Sequence, residues 1–190
     1  MVRKLNVAAA YKRHEIWIQV VNARMEALNT SISQVKLIFE QPYKYEIRKD
    51  EPQAIIEAIE LQTSLFWDAF YNQQSPVGIE FITEFEFSFP PDEHNAKSIS
   101  AHNILERRIT FLLNRIRLLG NVSRKSGTYY YQAEEGRSLA KLVKELLQSL
   151  YVFIDPEYFS KKYKEEFEEA MSSSTRDLTI RAKNYNENNL

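Results

Sequence analysis

The chain has 190 residues, a net charge of −1, 44% hydrophobic residues and no cysteine. It is long enough to bury the core of one domain, and without cysteine it can form no disulfide, zinc–thiolate site or thiol nucleophile. Its 4 glycines and 6 prolines are too few for the turns of an all-β fold, and no glycine-rich nucleotide-binding motif can be written with them. No stretch resembles a signal peptide or a transmembrane span, so we expect a cytoplasmic protein without membrane contact.

Hydrophobic periodicity predicts a mainly helical fold, a four-to-five-helix bundle with one long N-terminal helix. Residues 7–40 contain no Pro or Gly and keep apolar residues at helical spacing until Pro42 ends the helix. A second helix is expected over 52–72, after the acidic cap and proline of Asp50-Glu51-Pro52. Gln62 lies within the apolar stripe of this helix, and we expect its amide to be solvated or singly hydrogen-bonded.

The stretch 75–90 fits two kinds of secondary structure. Its phenylalanines alternate with polar residues as in a strand, and three of them also fit the four-residue spacing of a helix. The prolines at both ends favour an extended segment, which needs a partner strand. We expect either a small β-ribbon formed by 43–47 and 79–89, or pairing with an edge on a second subunit.

Two further helices are expected at 96–126 and 132–153, joined by a short connector and therefore antiparallel. In the first of them, Arg108 and Arg115 lie one above the other at the edge of the apolar stripe. An arginine in such a position must pair with an anion or reach water. We slightly favour an internal carboxylate over a ligand's phosphate. The carboxylate candidates are Glu15, Glu26, Glu57 and Glu60.

The C-terminal part of the chain is more polar than the rest. Asp155-Pro156 is a second acidic cap followed by proline, and a highly charged helix is expected at 157–171. The last residues have little to bury and are expected to be disordered. We therefore divide the chain into a helical bundle domain, a charged helical appendage and a disordered tail, at 1–154, 155–183 and 184–190.

No motif for enzyme chemistry is found. The three histidines have no metal-binding spacing, and the Glu-x-x-His pairs of di-iron bundles and the Gly-x-Ser-x-Gly motif of serine hydrolases are absent. We therefore expect no catalytic residue, no bound metal, no cofactor and no enzymatic activity.

The leading hypothesis for function is a non-catalytic accessory or scaffold protein that acts through helical protein–protein interfaces, as a homo-oligomer or as a subunit of a complex. Aromatic residues are its candidate docking residues. Those of the charged C-terminal helix have the i, i+4, i+8 spacing of docking anchors, and the phenylalanine-rich segment 79–89 has no obvious partner within the chain. The candidates are Phe81, Phe85, Phe87, Phe159, Tyr163 and Phe167.

The alternative is a nucleic-acid-binding helical subunit that uses the basic helix 107–125 and tyrosines 129–131. Cations beside aromatic rings can hold a phosphate backbone and stack bases. Against this, a chain of nearly neutral charge favours an ordinary solvated helix face. The candidate residues for nucleic-acid or anion binding are Arg107, Arg108, Arg115, Arg117, Arg124, Lys125, Tyr129, Tyr130 and Tyr131.

Overall fold

The computed structural model describes residues 7–70, 80–123 and 128–162. Within these ranges 77% of the residues are helical, so the prediction of a mainly helical fold is confirmed. The helices are α1 (Val7–Phe39), α2 (Glu51–Phe70), α3 (Ala96–Gly120) and α4 (Ala133–Ile154), and a 3₁₀ turn, Asn121–Ser123, follows α3. None of the helices in the described ranges is apolar over a length that would cross a bilayer.

The chain divides into two compact units, Met1–Ile154 and Asp155–Leu190. In the second unit, a helix starts where the sequence predicts it, and its described residues are 156–162. Asp155 caps this helix, since its Oδ1 atom accepts hydrogen bonds from the backbone N–H groups of Glu157 and Tyr158 at 3.1 and 2.9 Å. The rest of the predicted appendage and the predicted tail lie outside the described residues.

The four long helices pack in a ring in which α1 contacts α3 and α4, and α2 contacts the same two helices. α3 and α4, which we expected to be neighbours, therefore lie diagonally opposite one another. The connector between them is longer than predicted, because α3 ends at Gly120 instead of near residue 126. A Cβ atom at Gly120 would lie 2.8 Å from the Cζ atom of Phe81, so a larger residue here would have to displace the Phe81 ring.

Contacts along the helices fix their directions. Arg24 donates to the carbonyl of Leu118, and Arg108 near the middle of α3 donates to Gln34 further along α1, so α1 and α3 are antiparallel. The contacts between α2 and α3 instead advance in the same direction along both helices. Glu51 bonds to His102 and Gln62 bonds to Leu113, which makes α2 and α3 parallel.

Parallel packing of α2 and α3 means that the chain must travel back along the helices between them. Residues 80–89, which we call the crossover segment, make this return; residues 80–87 form neither helix nor turn, and the chain bends at Ser88 and Phe89. The predicted β-ribbon is not found, since neither 43–47 nor 80–89 is a strand among the described residues. The physical reason is that helix side chains, and not a second strand, bind the backbone of the crossover segment.

Three polar side chains of α3, spaced four residues apart, bind alternate residues of the crossover segment. Asn114 donates to the carbonyl of Thr83 at 2.8 Å. Thr110 Oγ1 accepts from the N–H of Phe85, and Glu106 Oε1 accepts from the N–H of Phe87, both at 2.9 Å. The spacings match, because four helical residues rise about 6 Å and two extended residues about 6.6 Å. We call these three side chains the α3 ladder.

Gln62 of α2 holds the same segment from the other side. Its Oε1 atom accepts from the N–H of Ile82 at 2.8 Å, and its Nε2 atom donates to the carbonyls of Ile82 and Leu113 at 3.2 and 2.9 Å. The residue has no exposed surface. The expectation of a solvated or singly bonded amide is therefore wrong, because the crossover segment covers Gln62 and uses most of its hydrogen-bonding capacity.

The α3 ladder can be tested with Thr110→Val, which keeps the side-chain shape but removes the acceptor of the Phe85 N–H. Leaving this amide unpaired should lower the free energy of unfolding by about 1–2 kcal/mol, measured by urea titration. Thr63→Val is the matched control. The Thr63 hydroxyl donates to the carbonyl of Ile59 within α2. In the variant this carbonyl still accepts the backbone hydrogen bond of the helix, so Thr63→Val should unfold close to the wild-type midpoint. Equal losses in the two variants would contradict the role of the ladder.

Candidate functional site

A buried histidine and two glutamates lie where α2 begins. His102 Nδ1 and Glu51 Oε1 are 2.9 Å apart, and His102 Nε2 is 3.5 Å from Glu106 Oε1. Glu51 also accepts from the backbone N–H of Arg48 at 2.9 Å. The ring of Phe87 covers the imidazole, with 4.5 Å between ring centroids. Both ring nitrogens of His102 and both carboxylate oxygens of Glu51 thus have a partner inside the protein, as burial of polar groups requires.

This group resembles acid–base machinery in its residue types but not in its accessibility. The exposed fractions of His102 and Glu51 are 4% and 0%, so no substrate reaches them. No cluster of metal-ligating residues is found anywhere in the described parts of the chain. We assign the group a structural role, in which it ties the start of α2 to α3 and to the crossover segment.

The second internal cluster is aromatic and lies at the opposite end of the helices. Tyr131 stacks on Trp17 of α1 with 5.1 Å between ring centroids, and its ring lies 5.8 Å from that of Phe70 of α2. Its hydroxyl donates to the carbonyl of Ser123 at 2.8 Å. Gly136 makes room for the ring, because a Cβ atom there would lie 2.8 Å from Tyr131 Cε2. Burial raises the pKa of the Tyr131 phenol above its ordinary value.

The three tyrosines that were predicted to stack bases therefore lie in three different environments. Tyr131 is buried, Tyr129 is half-buried and Tyr130 is exposed. Three rings placed in this way do not offer one common surface on which bases could stack. Tyr131 instead closes the end of the helical core.

The predicted basic cluster is divided as well. Arg108 is half-buried and donates to the side-chain amide of Gln34, and Arg117 donates to Asn114 Oδ1 at 3.1 Å. Arg107 and Arg115 are exposed, and within the described residues neither forms an ion pair or a hydrogen bond. The expected pairing of Arg108 and Arg115 with internal carboxylates is not seen in this part of the chain. Arg124 and Lys125 lie outside the described residues.

The predicted docking phenylalanines of the crossover segment face inward. Phe81 packs against Gly120, Phe85 is buried, and Phe87 is half-buried against His102. They therefore serve the core of the first unit. In the second unit Phe159 is half-buried, and Tyr163 and Phe167 lie outside the described residues.

One exposed surface remains on α3, between its contacts with α1 and with the crossover segment. Arg107, Phe111 and Arg115 follow one another at four-residue spacing, and all three are exposed. Phe111 has half of its surface in solvent, at 50%. Ile104 and Leu118 flank this row and are half-buried. We call these five residues the α3 outer strip.

Sequence reasoning found the arginines of this strip but not Phe111 as a site residue. The signal was present, since Ile104, Phe111 and Leu118 recur every seven residues beyond the arginines. It missed the pairing of Glu51 with His102, because Glu51 is read from sequence only as a helix cap. The four-residue spacing of His102 and Glu106 was the local signal for part of that group.

The raised pKa of Tyr131 predicts how stability changes at alkaline pH. The Tyr131 phenol loses its proton near pH 10 in the unfolded chain and at a higher pH in the native state. The protonated phenol therefore contributes fully to the free energy of unfolding below about pH 10, and this contribution is lost as the pH rises further. Tyr131→Phe should therefore flatten the fall of the free energy of unfolding above about pH 10, measured by urea titration at several pH values. Tyr130→Phe, at an exposed ring, is the control and should keep the wild-type slope. Identical slopes in both variants would refute the prediction.

The two arginines at the edge of the apolar stripe should differ in their effect on stability. Arg108→Ala removes a half-buried side chain and its bond to Gln34, which should lower the free energy of unfolding by about 1 kcal/mol. Arg115→Ala removes an exposed side chain without a partner and should leave the urea midpoint unchanged. A larger loss for Arg115→Ala than for Arg108→Ala would contradict this assignment.

The described residues thus combine two internal polar or aromatic clusters with one outward-facing strip of arginine and phenylalanine on α3. The internal clusters explain how the helices are held, while Arg107, Phe111 and Arg115 of the strip are exposed to solvent. No protein-family model matches the chain, and no curated protein and no solved structure is significantly similar to it.

Proposed function

We propose that this chain is a helical bundle, built on the long α1, that serves as a non-catalytic accessory protein and binds a protein partner through the α3 outer strip. The observation that carries the proposal is the exposed row of Arg107, Phe111 and Arg115. Arginine and large aromatic residues dominate the binding energy of protein interfaces, and half of the Phe111 surface is left unburied within this chain.

The spacing of the strip indicates the chemistry of the partner. Eight helical residues separate Arg107 from Arg115, so their positions on the helix are about 12 Å apart with Phe111 midway. A partner helix with one carboxylate on each side of an apolar residue has the complementary pattern. Arginine binds a carboxylate through two parallel hydrogen bonds, which favours such a partner.

Nucleic-acid binding, the alternative, has weaker support from the described residues. The tyrosines do not share a surface, and Arg108 and Arg117 are engaged within the chain. Two exposed arginines on a chain of charge −1 are a small electrostatic footprint for a polyanion. The nuclease arm of the experiment below tests this alternative.

Self-association is the second form of the proposed interaction. Val7, Tyr11 and Ile18 lie on one side of α1 and are all exposed, and Val7 has 77% of its surface in solvent. An exposed apolar stripe of this kind favours an interface with another chain. A cytoplasmic location is part of the same proposal and is supported only by the composition.

The test compares the wild type with Arg107→Glu/Phe111→Ala/Arg115→Glu in capture from an extract of the native host, with and without nuclease. The matched control is Arg137→Glu/Lys141→Glu/Leu142→Ala, which likewise reverses two positive charges and truncates one large apolar side chain at exposed positions of α4. We expect the wild type and the control to retain a protein partner that the strip variant loses, irrespective of nuclease. Far-UV circular dichroism checks that all three chains are folded.

Two outcomes would overturn the proposal. If all three chains capture the same partners, the strip is not the interface. If capture disappears after nuclease treatment, the nucleic-acid alternative is supported instead. Light scattering of the wild type and the strip variant then shows whether the strip binds a second copy of the chain.

A further inference from the structure

The crossover segment has one hydrogen-bonded edge and one edge that is bonded only at its start. From this asymmetry we infer that the second edge, at Glu84 and Glu86, is a docking site for an extended peptide with basic residues at alternate positions. The peptide would add to the crossover segment as a β-strand.

The bonded edge faces α3. In an extended chain, the backbone N–H and C=O groups of successive residues point to opposite sides. The carbonyl of Thr83 and the N–H groups of Phe85 and Phe87 point toward the α3 ladder and are bonded there. The groups of the even-numbered residues must then point away from α3.

On this second edge only Ile82 is satisfied, by Gln62. The backbone groups of Glu84 and Glu86 make no hydrogen bond in the described part of the chain, and both residues are exposed. Because buried backbone groups without partners are rare, these groups face water. On α2, the residues one and two turns before Gln62 are Ala58 and Ala54, whose methyl side chains cannot form a hydrogen bond.

An exposed edge with unpaired backbone groups is a template for strand addition. The backbone groups of Glu84 and Glu86 offer two donors and two acceptors, in the spacing that a strand requires. The side chains of these two residues lie on one face of the extended segment, since alternate residues of a strand share a face.

The charges on that face select the occupant. Lysine or arginine across from Glu84 and Glu86 gives favourable cross-strand pairs, and like charges in these positions are destabilising. A second copy of this chain, paired edge to edge, would place glutamates opposite glutamates. The fitting occupant is therefore a basic extended segment of another protein. This site lies on the crossover segment and does not depend on the α3 outer strip.

The first experiment measures hydrogen exchange of single amides by NMR in the wild-type chain alone. We expect alternation along the segment, with slow exchange at Phe85 and Phe87 and exchange near the rate of an unstructured chain at Glu84 and Glu86. Slow exchange at Glu84 and Glu86 in the isolated chain would overturn the inference, because the edge would already be covered.

The second experiment titrates the chain with the capped synthetic peptide Lys-Val-Lys-Val-Lys at low salt. Binding should slow exchange at Glu84 and Glu86, and the peptide Glu-Val-Glu-Val-Glu should have no such effect. Equal effects of the two peptides, or no effect of the basic one, would overturn the proposal.

Glu84→Pro and Glu86→Pro, made singly, remove one outward N–H each without touching the bonds to the α3 ladder. Proline is tolerated at such an edge position, so the thermal midpoint should stay close to that of the wild type. Each variant should bind the basic peptide about tenfold more weakly. Glu84→Gln is the control for charge alone, because it keeps the N–H and should lose less affinity. Wild-type affinity in both proline variants would contradict strand addition.

Discussion

Side chains of α2 and α3 that bind the backbone of the crossover segment are the interaction on which this fold depends. Parallel packing of these two helices forces the chain to return along them, and a returning extended chain brings backbone groups that must be satisfied. Gln62 and the α3 ladder meet this requirement without a second strand. The four-residue polar spacing on α3 is thus as much a part of the fold as its apolar stripe.

Much of the helical architecture was predictable, because amphipathic periodicity is a local property of the sequence. The expected helices at 7–40, 52–72 and 132–153 lie within a few residues of α1, α2 and α4. The contact between Phe81 and Gly120, where α3 ends, was not predictable, since it joins residues far apart in the chain. Gln62 was misjudged for the same reason, because its partners come from residues far along the chain.

The candidate site shows the same limit at the level of single side chains. Arg107 and Arg108 are adjacent in sequence, yet one is exposed and the other bonds to Gln34. Helical periodicity places them at different angles, but only the position of α1 decides which of them is engaged. The three tyrosines are separated in the same way, because only the ring of Tyr131 packs against Trp17 and Phe70.

The way in which the crossover segment is held has a consequence for the order of folding. Its bonds come from side chains that are aligned only once α3 is helical and α2 lies beside it, so the segment can dock only after these helices have met. Conversely, its release breaks no hydrogen bond of a helix. We expect the segment to form a cooperative unit of its own, which opens at a lower free energy than the helices that it joins.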